Sequence, residues 1–232
     1  IFSKKGYKTL IIDLDPQGNV STYLNFDKNN KNVTNSIHLF EGIKEITTGK
    51  LSENLSIIPS NKEIARYNDE KIIGGAKISK LKKDGLFNEF DFVFIDTPPT
   101  MSSLVQEGIA ASDYYLIPTK PEFLAIEGVA QAMSFAKTTL KNIPNVNTIF
   151  LGVLLNQIET RRASYEEFLS ELEYLLGDRL LKTKISHLTE IADSPFYGKT
   201  VIDFNNDSKA RVEFYKLAEE IIERVEKNEE IT

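Results

Sequence analysis

Apolar runs and polar punctuation divide the chain into short alternating segments. Lys8-Thr9-Leu10-Ile11-Ile12-Asp13 follows a glycine and is almost wholly apolar, as a buried strand would be. Comparable runs are Leu55-Ser56-Ile57-Ile58, ended by Pro59, and Phe92-Val93-Phe94-Ile95, which leads into Asp96. Tyr114-Tyr115-Leu116-Ile117 is stopped by Pro118; Asn147 to Leu155 and, more weakly, Leu180 to Ile185 complete the set. Between them, Met101 to Ala111, Glu122 to Lys141, Arg162 to Leu176 and Ser208 to Lys227 carry apolar residues at i, i+3 and i+4, the period of a helix with one buried face. Continuous apolar strands alternating with long helices predict βαβ units, hence an α/β fold with a mostly parallel sheet and helices on both faces. No repeat or long linker interrupts the pattern, so residues 1–232 read as a single domain.

Composition narrows this picture. Fourteen Phe and nine Tyr in 232 residues are too many for a solvated coil. The chain has no Cys, which excludes disulfides, thiolate metal sites and thiol catalysis. Its two His, His38 and His187, leave little scope for a multi-histidine metal site. No apolar run is long enough to span a membrane. The formal net charge of −6 argues against a nucleic-acid coat and leaves room for a local basic patch. One such stretch is Lys71, Lys77, Lys80, Lys82 and Lys83, a spacing equally suited to a solvated helix face. Asp27 to Asn32 is a polar loop by composition. Ile1-Phe2-Ser3-Lys4-Lys5-Gly6 reads as the last turn of a helix with a glycine cap, so the sequence is expected to start inside an element.

Ligands of open parallel sheets bind at the carboxyl ends of the strands. Two strands here end in carboxylates, as Asp13-Leu14-Asp15-Pro16-Gln17-Gly18-Asn19 and as Asp96-Thr97-Pro98-Pro99. Such carboxylates can cap the helices that follow. They are also how phosphate-hydrolysing proteins hold Mg²⁺, a hard cation that keeps several waters.

The Asp13–Asn19 segment resembles the second signature motif of the ParA-type partition ATPases, and Phe94-Ile95-Asp96-Thr97-Pro98-Pro99 resembles their Walker B segment. The likeness continues through Ala111-Ser112-Asp113, Ile117-Pro118, Pro121 to Gly128, Asp193 to Lys199 and Tyr215 to Glu220, in order along nearly the whole chain. It implies a P-loop NTPase-like fold of the SIMIBI type. It also implies ATP and Mg²⁺ as cofactors, a cytoplasmic, nucleoid-associated bacterial location, and a role in plasmid or chromosome segregation. In such proteins ATP drives face-to-face dimerisation and nonspecific DNA binding, and a ParB-like partner stimulates hydrolysis.

Carried over by position, Asp15 would position or activate the attacking water, Asp13 would stand near the Mg²⁺ shell, and Asp96 would orient Mg²⁺ through water. Pro16, Gln17 and Gly18 would line the nucleotide, Pro16 and Gln17 close to the dimer interface. Asn156, Ser186 and His187 would meet the adenine, although the family's usual Ile-Pro-Arg is replaced by Ile185-Ser186-His187. Arg161 and Arg162 fall where relatives carry a DNA-contacting Arg; Lys182, Lys184, Lys199, Lys209 and the Lys71–Lys83 stretch are further candidates.

The family's opening strand and Lys-Gly-Gly-Val-Gly-Lys-Thr loop do not occur in these 232 residues. The resemblance puts them just upstream of Ile1, and without them the chain is expected to bind and hydrolyse nucleotide poorly. Two other readings are compatible with the same likeness: a MinD-like membrane-positioning ATPase and a nucleotide-free adaptor. The last helix bears on the former. Ala210, Phe214, Leu217, Ala218, Ile221 and Val225 form one face, and Glu213, Glu219, Glu220, Glu223 and Glu226 the other. A membrane anchor would want Lys and Arg on that second face. Retention of Asp13, Asp15 and Asp96 speaks against an adaptor.

Overall fold

A computed structural model describes residues 1–72, 75–122, 124–159 and 165–229. Its strands are β1 (Thr9–Asp13), β2 (Gly49–Ser52), β3 (Leu55–Ile58), β4 (Phe92–Asp96), β5 (Tyr114–Thr119), β6 (Ile149–Ile158) and β7 (Leu180–Ser186). Its α-helices are α1 (Asn19–Tyr23), α2 (Lys77–Lys83), α3 (Ser103–Ala111), α4 (Ala125–Asn142), α5 (Tyr165–Leu176), α6 (Thr189–Asp193), α7 (Val201–Phe204) and α8 (Lys209–Glu229). The α/β class and the largely parallel pairing match the apolar pattern. The chain divides into two compact units, Ile1–Asp113 with Phe135–Thr148, and Tyr114–Ser134 with Ile149–Thr232.

The first unit holds a sheet of order β2-β3-β1-β4. β1 runs parallel to both β3 and β4, while β2 is antiparallel to β3. Leu10 and Ile12 of β1 and Ile58 of β3 pack with Ile78 and Leu81 of α2, Leu104 of α3, Leu39 and Phe40. β2 has no counterpart among the sequence expectations. Its Gly-Lys-Leu-Ser is short and mostly polar because it is an edge strand with one partner. Glu107 of α3 is 3% exposed, and both its oxygens accept backbone N–H groups at the start of α2, from Lys77 and Ile78 at 3.0 Å each. That supplies the cap Ala76 cannot. Gly6 stands in the left-handed region at φ 98° after a 3₁₀ turn, so the expected glycine cap is present.

The second unit holds the parallel sheet β5-β6-β7. Pro118 does not stop β5. It pairs opposite Leu154, and β5 continues to Thr119, because an edge strand can leave the side lacking an N–H unbonded. Val153 and Leu155 of β6 pack with Val129, Tyr165, Leu172 and Leu180. Leu154 lies on the other face with Leu181, Ile185 and Leu217 of α8. Helices cover both faces, which accounts for the unbroken apolar run of β6.

The acidic face expected of α8 is not uniformly solvated. Glu220 is 9% exposed, and its carboxylate accepts the β7 backbone N–H groups of Lys182 at 2.8 Å and Thr183 at 2.7 Å. Glu213 likewise takes the N–H and the hydroxyl of Ser186, at 2.8 and 2.7 Å. Both glutamates satisfy an edge strand that helical periodicity cannot reveal. Among the described residues no helix is long and apolar enough to cross a membrane.

Candidate functional site

Asp13 and Asp96 are partners in register at the carboxyl ends of the adjacent parallel strands β1 and β4. The backbone ties the two ends together, with Leu14 N–H donating to Asp96 O at 2.8 Å. After β1 the chain turns sharply over Asp15-Pro16-Gln17-Gly18, and Gly18 N–H closes the turn on Asp15 O at 2.9 Å. Asp, Pro and Gly stand at the first, second and fourth positions, where a type I turn favours them.

Carboxylates lace the turn from inside. Asp13 Oδ1 accepts Asp15 N–H at 2.9 Å, and Asp15 Oδ1 accepts Gln17 N–H at 2.9 Å. Gly18 has φ 62°, and a Cβ there would lie 2.8 Å from the carbonyl oxygen of Ser60. Only glycine meets both constraints.

The electrostatics of this corner are unbalanced. Asp13 is fully buried, and its Oδ2 has no hydrogen-bond partner. Burial pushes its pKa up to about 7; the negative charges of Asp96 and Asp15 add to the rise, while the N–H groups of Asp15 and Val20 oppose it. Asp96 keeps solvent access and is also raised, first by partial desolvation and then by Asp15. Three carboxylates thus share one strand-end corner with no cation among their described contacts. Among the described residues no three acidic or histidine side chains are arranged to enclose a metal by themselves. Mg²⁺, which keeps several waters and shares phosphate oxygens, needs no such cage. The orphaned Asp13 Oδ2 and the hard oxygen donors around it fit that ion.

A stability prediction follows from Asp13. Its folded pKa lies above its unfolded one, so the folded state holds the proton longer and stability falls as pH rises from about 4 to about 7. Above that window the cost is constant, at most about 4 kcal/mol for a shift of this size. Asp13→Asn keeps the acceptor for Asp15 N–H and removes the charge. Urea melts should show the variant more stable than the parent at pH 8, and the two nearly equal at pH 4. Equal stability at pH 8 would refute the buried-charge account.

In the second unit, Asn156, Ser186 and His187 gather at the carboxyl ends of β6 and β7, where Ile158 pairs with Ser186 and His187 N–H donates to Ile158 O at 2.9 Å. Asn156 Oδ1 accepts Gln157 N–H at 2.9 Å, and Gln157 has φ 55°. Ser186 is committed to Glu213, and His187 Nδ1 lies 2.9 Å from Glu159 Oε1. Arg161 and Arg162 lie outside the described residues. Within the lysine stretch Lys77 pairs with Glu70, Lys82 with Asp113, and Lys83 donates to Asn145 O, while Lys71 and Lys80 are exposed. Of the other lysine candidates, Lys184 faces Glu173 and Lys209 faces Glu213.

Sequence reading missed Lys28 and Ser60, both of which touch the Asp15 turn. Lys28 sat in a segment legible only as polar, and Ser60 is marked by nothing except its place after β3.

A family model described as an AAA domain matches residues 1–149. The chain is 26% identical over 224 residues to the sporulation initiation inhibitor protein Soj of Bacillus subtilis, covering 93% of this chain and 87% of that protein. It is 26% identical over 232 residues to the chromosome-partitioning ATPase Soj of Thermus thermophilus, covering 97% and 87%. Among solved structures, apo McdA of Cyanothece superposes with a TM-score of 0.80 at 17% identity, covering 97% of this chain and 90% of that one. A putative plasmid partition protein of Borrelia burgdorferi bound to AMPPNP superposes at 0.72 and 20% identity, covering 98% and 89%.

Proposed function

The chain belongs to the ParA-type family, whose members among its homologues are chromosome and plasmid partition ATPases, and from that premise we propose that it works as a DNA-segregation ATPase. The observation that carries this reading is the trio Asp13, Asp15 and Asp96 at two adjacent strand ends, with one oxygen buried and unpartnered. The two compact units are read as parts of one ATPase domain.

ATP and Mg²⁺ are the proposed cofactors. Asp13 and Asp96 would hold the ion, Asp96 through water, and Mg²⁺ when bound would neutralise phosphate charge. That positive charge would also favour the ionised form of Asp13, which burial disfavours. Asp15, whose Oδ1 accepts Gln17 N–H and whose own N–H donates to Asp13 Oδ1, would orient a water and accept its proton. Pro16, Gln17 and Gly18 would line the nucleotide. Asn156 and His187 would contribute to the base site; Ser186 would do so through whatever capacity its bonds to Glu213 leave.

The proposed partners are a second copy of the chain in the ATP state, DNA of any sequence, and a ParB-like protein that stimulates hydrolysis, in a bacterial cytoplasm at the nucleoid. The exposed acidic positions Glu219, Glu223 and Glu226 weigh against α8 as a membrane anchor, which would carry Lys and Arg there.

The test is DNA retention by the gene product expressed from its own start codon. With ATP it should bind duplexes of unrelated sequence equally, and binding should fall steeply with salt. Arg161→Ala with Arg162→Ala should weaken binding uniformly and reduce the salt slope by about 2. Binding to anionic vesicles in place of DNA would favour the membrane-positioning reading. Activity in neither assay would favour the adaptor.

A further inference from the structure

The Asp15 turn is closed from inside by carboxylates and backbone, and from outside by Lys28. Lys28 Nζ donates to Gln17 O at 3.2 Å. Its stem lies over Gly18: a Cβ on Gly18 would meet Lys28 Cδ at 3.2 Å and Nζ at 3.4 Å. Gly18 is buried, and Ser60 O closes the same approach. The hydrogen bonds at 15, 17 and 18 thus form a relay, from Asp13 to Asp15 to Gln17, with Gly18 returning to Asp15 and Lys28 fixing the carbonyl between Gln17 and Gly18.

The position of Lys28 is itself anchored. Phe26 N–H donates to Ser21 O at 2.9 Å, and the Phe26 ring occupies the space a side chain at Gly49 would take. Asp27 then folds the chain back, accepting Asn29 N–H on its side chain at 3.0 Å and Asn30 N–H on its carbonyl at 3.1 Å. Lys28 sits inside that turn, so its stem starts from an ordered backbone instead of a free loop.

The geometry points to Lys28 as a positioning residue for Asp15, one that holds the Asp15–Gly18 turn shut so that the carboxylate keeps a single orientation. This rests on the ATPase reading for its consequence, though not for the tie itself. Lys28 touches no reacting atom. It acts through the Gln17 carbonyl.

Two variants separate the charge from the stem. Lys28→Met keeps the apolar cover of Gly18 and loses the donor, and Lys28→Arg keeps a donor. Amide exchange in the gene product expressed from its own start codon reads the turn at Gly18 N–H, whose acceptor is Asp15 O. Exchange should be about fivefold faster in Lys28→Met, the scale of one hydrogen bond, and return toward the parent rate in Lys28→Arg. The kcat for ATP should fall by a comparable factor of about five with KM within about twofold, as expected when orientation and not binding is lost. Unchanged Gly18 exchange in Lys28→Met overturns the proposal. So does a rise in KM at constant kcat, which would make Lys28 a phosphate ligand. A parent without ATPase activity would sink the ATPase reading alone, because the exchange rates report the tie independently.

Discussion

Replacing Asp15 by Asn should lower ATP hydrolysis by the gene product at least about a hundredfold, the scale of losing a positioned general base, while ATP affinity stays within about threefold. The substitution is chosen for what it preserves. Asp15 Oδ1 accepts Gln17 N–H, and the Asn side-chain carbonyl can do the same. Asp13 Oδ1 still accepts the backbone N–H at 15, and the carbonyl at 15 still receives Gly18 N–H. The turn therefore survives, and the measured change belongs to the carboxylate charge. Asp15→Ala would additionally remove the bond to Gln17 and mix two effects. Single-turnover hydrolysis and nucleotide binding, measured separately, distinguish the outcomes. Full activity in Asp15→Asn would remove Asp15 from the chemistry. Lost affinity at an unchanged rate would recast it as a ligand for the nucleotide or its metal.

How far the sequence alone led depends on the range of each interaction. β1, β3 and β4 were legible because each is a continuous apolar run, and burial on both faces writes itself into consecutive residues. The turn was legible because Asp-Pro-Gln-Gly is local chemistry, each residue fitted to its own place in four. What could not be read were contacts between residues distant in sequence. Glu220 meets β7 across 38 positions, and Glu107 meets α2 across 30. Lys28 meets Gln17 across only 11, yet through a loop whose path is set by Phe26 and Gly49. Glutamates at helical spacing look alike whether they face water or a strand edge, so α8 read as uniformly acidic outside. Pro118 misled for a related reason: its effect depends on whether the strand is an edge, a property of the sheet and not of the strand.

Arg224→Ala should be the most destabilising single change in the second unit outside its apolar core, by about 3 kcal/mol. The Arg224 side chain is largely buried, as is Glu220, which it binds at 3.0 Å. The same guanidinium donates to three backbone carbonyls, Leu151 O at 3.1 Å, Asp178 O at 2.8 Å and Leu180 O at 3.0 Å. Glu220 in turn holds the N–H groups of Lys182 and Thr183. One ion pair of α8 thereby fastens the start of β6, the turn before β7, and β7 itself. Burial alone would raise the Glu220 pKa, but the N–H groups of Thr183 and Lys182 with Arg224 outweigh it and hold the carboxyl below its usual value. A lowered carboxylate contributes stability above its unfolded pKa and loses it as pH falls through the folded one. Removing Arg224 takes away part of that depression, so the variant should begin to lose stability at a higher pH on acidification than the parent. Urea melts at pH 7 give the size of the loss, and a series down to pH 3 gives the shift. Arg224→Lys should recover only part of the stability, since an ammonium cannot present the planar fork that reaches several acceptors at once. A loss below about 1 kcal/mol at pH 7, the range of an exposed ion pair, would show that the clamp is peripheral to the fold.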